Sequence, residues 1–292
     1  MYKLIEKNNL LTLHIMVIVL GFTGILGKLI TSINTLHLVW YRMFIAFIVL
    51  ALFLYFKKQL FSISRKDFIS LIGIGIIVGL HWIFFFESIK VSTVSVAVIC
   101  LSTSSLFSAF LEPIFFKRKI LIYEVFFSII VIIALTYVLD ADIKYRLGYI
   151  YGIVSAFLAT LFTILNAKFI NKMDASKITM IEMLGGVFLI TCILIFQTDS
   201  SLIKIPSLQD FWYLLILSVI CTAGVFVWML EIMKYITPYS LIMAVNLEPI
   251  YSIVLALLIF GESEYMGASF YIGSGIILLV VFLESYLKIK NK

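Results

Sequence analysis

Apolar residues along this chain neither alternate with polar ones nor keep to one helical face. They run together in long blocks parted by short polar connections. A helix needs ~20 apolar residues to cross the hydrocarbon core of a bilayer. On that rule the blocks predict ten spanning helices, over Leu11–Ser32, Thr35–Phe56, Phe68–Ser88, Ser92–Ile114, Ile120–Leu139, Leu147–Ala167, Ser176–Phe196, Phe211–Glu231, Pro238–Phe260 and Gly267–Tyr286. The period-two alternation of a β-barrel is absent. The first block, from about Leu10 to Ile33, is too long for the core of a signal peptide and has no small-residue cleavage site, so it reads as a retained span.

Composition sharpens this to an all-α integral membrane protein. The chain is 63% hydrophobic and 13% charged, whereas soluble domains carry ~25% charge. Water-soluble packing cannot hide that much apolar surface, so lipid is the solvent. The formal charge of +6 sits in the short connections, which is an orientation signal rather than a nucleic-acid footprint. Cys100, Cys192 and Cys221 lie far apart inside apolar blocks. No spacing suggests a disulfide, a metal or a cofactor.

With a cytoplasmic N-terminus, the inner segments collect Lys3, Lys7, Lys57, Lys58, Arg65, Lys66, Lys117, Arg118, Lys119, Lys168, Lys172, Lys177, Lys234, Lys288, Lys290 and Lys292. The outer ones hold Lys28, Lys90, Lys144, Arg146 and Lys204. Sixteen against five predicts both termini on the cytoplasmic side, and a bacterial plasma (inner) membrane is the expected location.

The chain also matches itself. At an offset of 144, Glu87 meets Glu231, Lys90 meets Lys234, Thr93 meets Thr237, Phe107 meets Tyr251 and Ser108 meets Ser252. At 140, Phe22, Thr23 and Lys28 meet Phe162, Thr163 and Lys168. Each half holds five predicted spans, an odd number, so the second would insert upside down. The connections agree: 57–67 carries four basic residues and its counterpart 197–210 carries one, while KRK (117–119) corresponds to GES (261–263). The expected domains are therefore 1–143 and 144–292, two inverted five-helix repeats with a site near the midplane between them.

Ten spans in two inverted fives, Pro249 followed by Gly261-Glu262, and the glycine-rich 273–275 together resemble the drug/metabolite transporter superfamily, in its EamA-domain branch. The resemblance covers essentially the whole chain. In the first half, Ser104-Ser105 stand in place of Glu248-Pro249, and Lys117-Arg118 in place of Gly261-Glu262. That half is supported by its span pattern more than by motif.

Four ionisable groups fall at depth: Arg42, His81, Glu182 and Glu248. An ion there costs ~2.5–3.5 kcal/mol on insertion scales, so each should face protein or trapped water. Arg42 and Glu182 occupy matching places with opposite sign. They read either as a long-range salt bridge or as two poles able to hold a zwitterion. Pro249 withholds an amide donor from the carbonyl of Val245, and irregular backbone at this depth must border protein or water. Glu248 there could load and release a proton as a cavity changes sides, or could lock the bundle by bonding Arg42, His81 or a hydroxyl. Tyr41, Trp82, Trp228 and Tyr251 are the candidate aromatic walls.

The expected function is secondary transport of a small organic metabolite such as an amino acid. Export by alternating access, with protons as the coupling ion, is the form expected. Nothing resembles an ATPase motif. An intramembrane enzyme would need a nucleophile–base pair or a metal set, and His14, His37 and His81 lie far apart with no HExxH, GxSxG or CxxC. A non-transporting scaffold or sensor would need an output domain for which the loops leave no room.

Overall fold

A computed structural model describes residues 9–58, 63–141, 143–196 and 204–290. Lys3, Lys7 and Lys292 from the charge count lie outside the described residues. Helix occupies every predicted range, and no strand occurs among the described residues. The helices are α1 (Asn9–Leu29), α2 (Thr35–Phe56), α3 (Arg65–Val91), α4 (Val94–Leu101), α5 (Ser104–Phe116), α6 (Ile122–Ala141), α7 (Arg146–Asn166) and α8 (Ala175–Phe196). They continue with α9 (Leu208–Ser218), a π-helical stretch (Val219–Gly224), α10 (Val225–Ile232), α11 (Pro238–Val245), α12 (Glu248–Phe260) and α13 (Ala268–Lys290).

Six stretches are long and apolar enough to cross a membrane: Thr35–Phe56, Arg65–Val91, Val94–Phe116, Ile143–Asn166, Ala175–Phe196 and Leu208–Ile232. Shorter apolar helices lie at Leu13–Leu29, Ile122–Val138 and Ala268–Leu283. The outside of the bundle is as oily as its inside. Phe56, Ile122, Phe196 and Leu258 are all more than three-quarters exposed. Such a surface needs hydrocarbon around it, and the protein is an integral membrane protein.

Short polar residues start the helices by accepting a free first-turn amide. Asn34 accepts from His37 before α2, Ser64 from Asp67 before α3, Thr93 from Val96 before α4 and Ser207 from Asp210 before α9. Two of the predicted spans are broken. The gap between α4 and α5 falls at Ser102–Thr103, and that between α11 and α12 at Asn246–Leu247. Each of the four pieces begins and ends 144 residues from its counterpart: 94–101 with 238–245, and 104–116 with 248–260. Both second pieces also end on a residue of positive φ at that offset, Lys117 (φ 54°) and Gly261 (φ 56°). Pro249 sits in the first turn of α12, where no amide donor is needed.

The core is centred on α3, which packs against α7 and α8, with α2 laid on α8 and α1 on α12. Between α3 and α8 the backbones nearly touch. A Cβ on Gly75 would strike the carbonyl of Glu182, and one on Gly79 would come within 3.2 Å of the Gly186 Cα. This is the small-residue packing that lets membrane helices approach. α6 and α13 pack on each other, around Phe127, Val138, Phe270 and Ile277, with Tyr149 in the same cluster.

Ionic pins hold the helix ends. Glu264 accepts from Lys28 Nζ (2.6 Å), from the amides of Val94 and Ser95 (3.0 Å each) and from Ser95 Oγ (2.8 Å). Asp210 accepts from the amides of Thr31 and Ser32 and from Ser32 Oγ (2.6 Å). Arg118 donates to both Glu112 and Glu124. Burial opposes its charge, but the hydrogen bonds and charges of the two carboxylates outweigh that and hold its pKa above the ordinary guanidinium value. Glu112 therefore turns to Arg118.

Candidate functional site

At the centre of the bundle lies a cavity of about 90 Å³. One ordered water needs roughly 10–15 Å³ on this measure, so several fit. Arg42, His81, Trp82 and Glu248 all line it, although they come from three different predicted spans.

Arg42 extends from α2 and is 1% exposed. Its guanidinium carbon lies 3.8 Å from the Trp82 ring centre, within cation–π range. Its Nε donates to Thr222 Oγ1 at 2.6 Å. Thr222 is placed for this by the π stretch, and its own hydroxyl donates to the carbonyl of Leu217, five residues back, at 2.7 Å. Single π turns inside α-helices are frequent at functional sites. Nη1 of Arg42 is buried with no hydrogen-bond partner.

Glu248 begins α12 at the helix break and is 4% exposed. No ion pair joins it to Arg42 among the described residues. The two opposite charges instead border the same small space. Asn246, in the break itself, also lines the cavity, and its Nδ2 is a second buried donor without a partner.

His81 Nδ1 lies 2.9 Å from the carbonyl of Ser155 and 2.8 Å from its hydroxyl. A carbonyl only accepts, so this contact assigns a proton to Nδ1. His81 thus ties α3 to α7 while one side of it borders the cavity. The remaining wall is largely apolar and aromatic, as small-molecule sites usually are.

Much of that wall comes in pairs separated by the sequence offsets. At 144 stand Trp82 with Phe226, Phe85 with Met229, Leu101 with Val245 and Ser104 with Glu248. At 140 stand Leu20 with Thr160 and Thr23 with Thr163. The offset was the signal that could have found Phe226, Met229 and Thr160 from sequence. Nothing in the sequence marks the π stretch that presents Thr222.

The other sequence-derived candidates lie elsewhere. Glu182 is fully buried in α8 against Gly75 of α3, outside the cavity lining. It forms no salt bridge with Arg42. Tyr41 is half-buried and packs edge-on to Trp40. Tyr251 meets His14 Nδ1 at 3.0 Å on the α1–α12 seam. Trp228 borders a second, larger space of about 440 Å³ between α2 and α10. That groove is almost wholly apolar, with Lys57, Asp174 and Glu231 at helix ends on one rim.

The described residues contain no cluster of three or more histidine, cysteine or acidic side chains able to hold a metal ion.

The EamA-like transporter family matches the chain twice, over residues 8–139 and 146–286. No curated protein matches it. Among solved structures, one crystal structure of a protein superposes with a TM-score of 0.70, covering 97% of this chain and 98% of the other at 13% sequence identity. At that identity the likeness is one of fold.

Proposed function

This chain belongs to the EamA-like transporter family, within the drug/metabolite transporter superfamily, and from that premise we propose that it is a secondary exporter of a small organic metabolite. The substrate class we favour is an amino acid or a similar amphipathic compound. The observation that carries this reading is the cavity in which an unpartnered Arg42 donor and the Glu248 carboxylate border one space without pairing. A guanidinium with a spare donor suits a carboxylate, and a buried carboxylate suits an ammonium. Asn246 adds a second unpartnered donor on the cavity wall.

Alternating access between two inverted five-helix repeats, 1–143 and 144–292, is the mechanism we propose. In support, the cavity wall pairs up at the offsets of the repeat, and the broken helices match piece by piece. Two halves of one design around a midplane site can rock against each other while the site stays fixed. The same reading gives ten spans with both termini cytoplasmic in a bacterial plasma membrane. Glu248 is then the cavity group that takes a proton when no substrate ammonium is present. The family is one of transporters, so the enzyme reading is set aside.

The test is flux. Purified protein in liposomes is expected to move labelled amino acids across the bilayer chemically unchanged. No protein-dependent movement, or recovery of an altered compound, would overturn the proposal. Accessibility labelling of the 168–177 connection tests the inversion separately, and reaction from outside the cell would remove it.

A further inference from the structure

Glu182 has a place in the fold that the cavity does not explain. It is 0% exposed, and no well-aligned hydrogen bond reaches either carboxylate oxygen. A carboxylate so poorly satisfied is rarely left inside a protein, let alone inside a bilayer. The residue is held by backbone as well. Gly75 on α3 leaves room for the Glu182 carbonyl, and Gly185 on α8 leaves room for the Ile72 carbonyl. The side chain therefore cannot escape by a small shift of its helix.

The polar side chain that interacts with it is Asn166, at the end of α7, 1% exposed and with Oδ1 also unpartnered. Charged or titratable groups are buried on the other elements packed against α8. They are His37 and Arg42 on α2, His81 on α3, Cys221 in the π stretch and Glu231 on α10. His37 is bonded to Asn34, Arg42 to Thr222, His81 to Ser155 and Glu231 to Lys234. None of the five forms an ion pair or hydrogen bond with Glu182 among the described residues. On α8 itself Lys177 is the other charged residue.

We infer that Glu182 and Asn166 form a proton-binding site, distinct from the central cavity, in which the carboxyl takes up one proton and shares it with the amide. An asparagine is suited to this because it serves both protonation states. Its NH₂ donates to an ionised carboxylate, and after a half-turn its C=O accepts from a protonated one. One proton would also satisfy orphaned oxygens on both residues at once. The site is wired to the cavity through α7: Thr163 lines the cavity, and Asn166 follows it by three residues, one helical turn. Loading or emptying the carboxyl would then be felt at the cavity wall.

The inference does not depend on what the cavity carries. Infrared difference spectra of the purified, substrate-free protein, taken from about pH 5 to about pH 9, test it directly. A carbonyl band of a protonated, dehydrated carboxylic acid is expected to titrate in the native chain, to be lost in Glu182→Gln and to survive in Glu248→Gln. In Asn166→Leu it should remain but move in frequency, because the carbonyl has lost its bonding partner. That variant keeps the test alive should Glu182→Gln fail to fold. A band that survives in Glu182→Gln, never titrates, or ignores the loss of the amide overturns the inference and leaves the transport reading standing.

Discussion

The chain breaks a helix at two places 144 residues apart and builds the two breaks from different chemistry. The first, at Ser102–Thr103, ties three of its four hydroxyls to carbonyls and leaves Ser102 Oγ without a partner. Thr103 Oγ1 donates to the carbonyl of Cys100 at 2.6 Å, Ser105 Oγ to that of Ser102 at 3.1 Å, and Ser104 Oγ to that of Ala156 at 3.3 Å. The second, at Asn246–Leu247, is followed by Glu248 and Pro249 and leaves the Asn246 amide without an acceptor. The backbone outcome is the same and the polar outcome differs. The neutral break directs most of its hydroxyls to nearby carbonyls, whereas the charged one leaves an amide donor and a carboxylate bordering the cavity. Ser104 and Glu248 occupy the same step of their breaks and both reach the cavity, so the difference between them gives the space its negative pole.

Making the second break a copy of the first should have the largest effect. Glu248→Ser is expected to lower substrate flux in liposomes by more than about tenfold, the equivalent of ~1.4 kcal/mol. Moving the carboxylate across, as Ser104→Glu with Glu248→Ser, should restore part of it, since both positions border one cavity. Flux unchanged in the single variant would mean the two breaks are interchangeable.

Next comes Thr222→Val, which installs the residue found at the matching position, Val78. The Arg42 Nε loses its acceptor, and an orphaned buried donor costs about 1–3 kcal/mol. A lower melting temperature in detergent would register this. Pro249→Ala should act more weakly, destabilising by about 0.4–1 kcal/mol through the freer unfolded chain, because its ring already fits the first turn. Smallest is Lys117→Gly. A left-handed residue with a side chain costs ~1–2 kcal/mol and glycine's extra chain entropy offsets about half of that, so a gain of about 0.5 kcal/mol is expected in the same melting assay.

The positions of the helices were legible because hydrocarbon demands long apolar runs, and those runs say where a helix lies almost without regard to side-chain detail. The direction each side chain takes was not. α8 is apolar nearly all round, so its sequence offers no stripe to tell a cavity-facing side from a helix-facing one. Glu182 stood out by depth, yet the glycines of α3 decide that it meets backbone instead of Arg42. His81 stood out by depth as well, and its geometry makes it both a tie to α7 and part of the cavity wall. Trp228 and Tyr251 are aromatics at plausible depth, but Trp82 and Phe85, three residues after it, line the cavity with their partners at the offset. Phe226 replaces a tryptophan there, and Met229 a phenylalanine.

The π stretch between α9 and α10 holds each amide against a carbonyl five residues earlier, as Val225 does with Ile220. That rod therefore carries one residue more than its length requires. At 3.6 residues per turn, handing the surplus along to a neighbouring turn swings the intervening side chains by roughly 100°. Thr222 would then leave Arg42, and the guanidinium would be freed without any hinge bending. A single spare residue thus stores a ready-made rotation next to the positive pole.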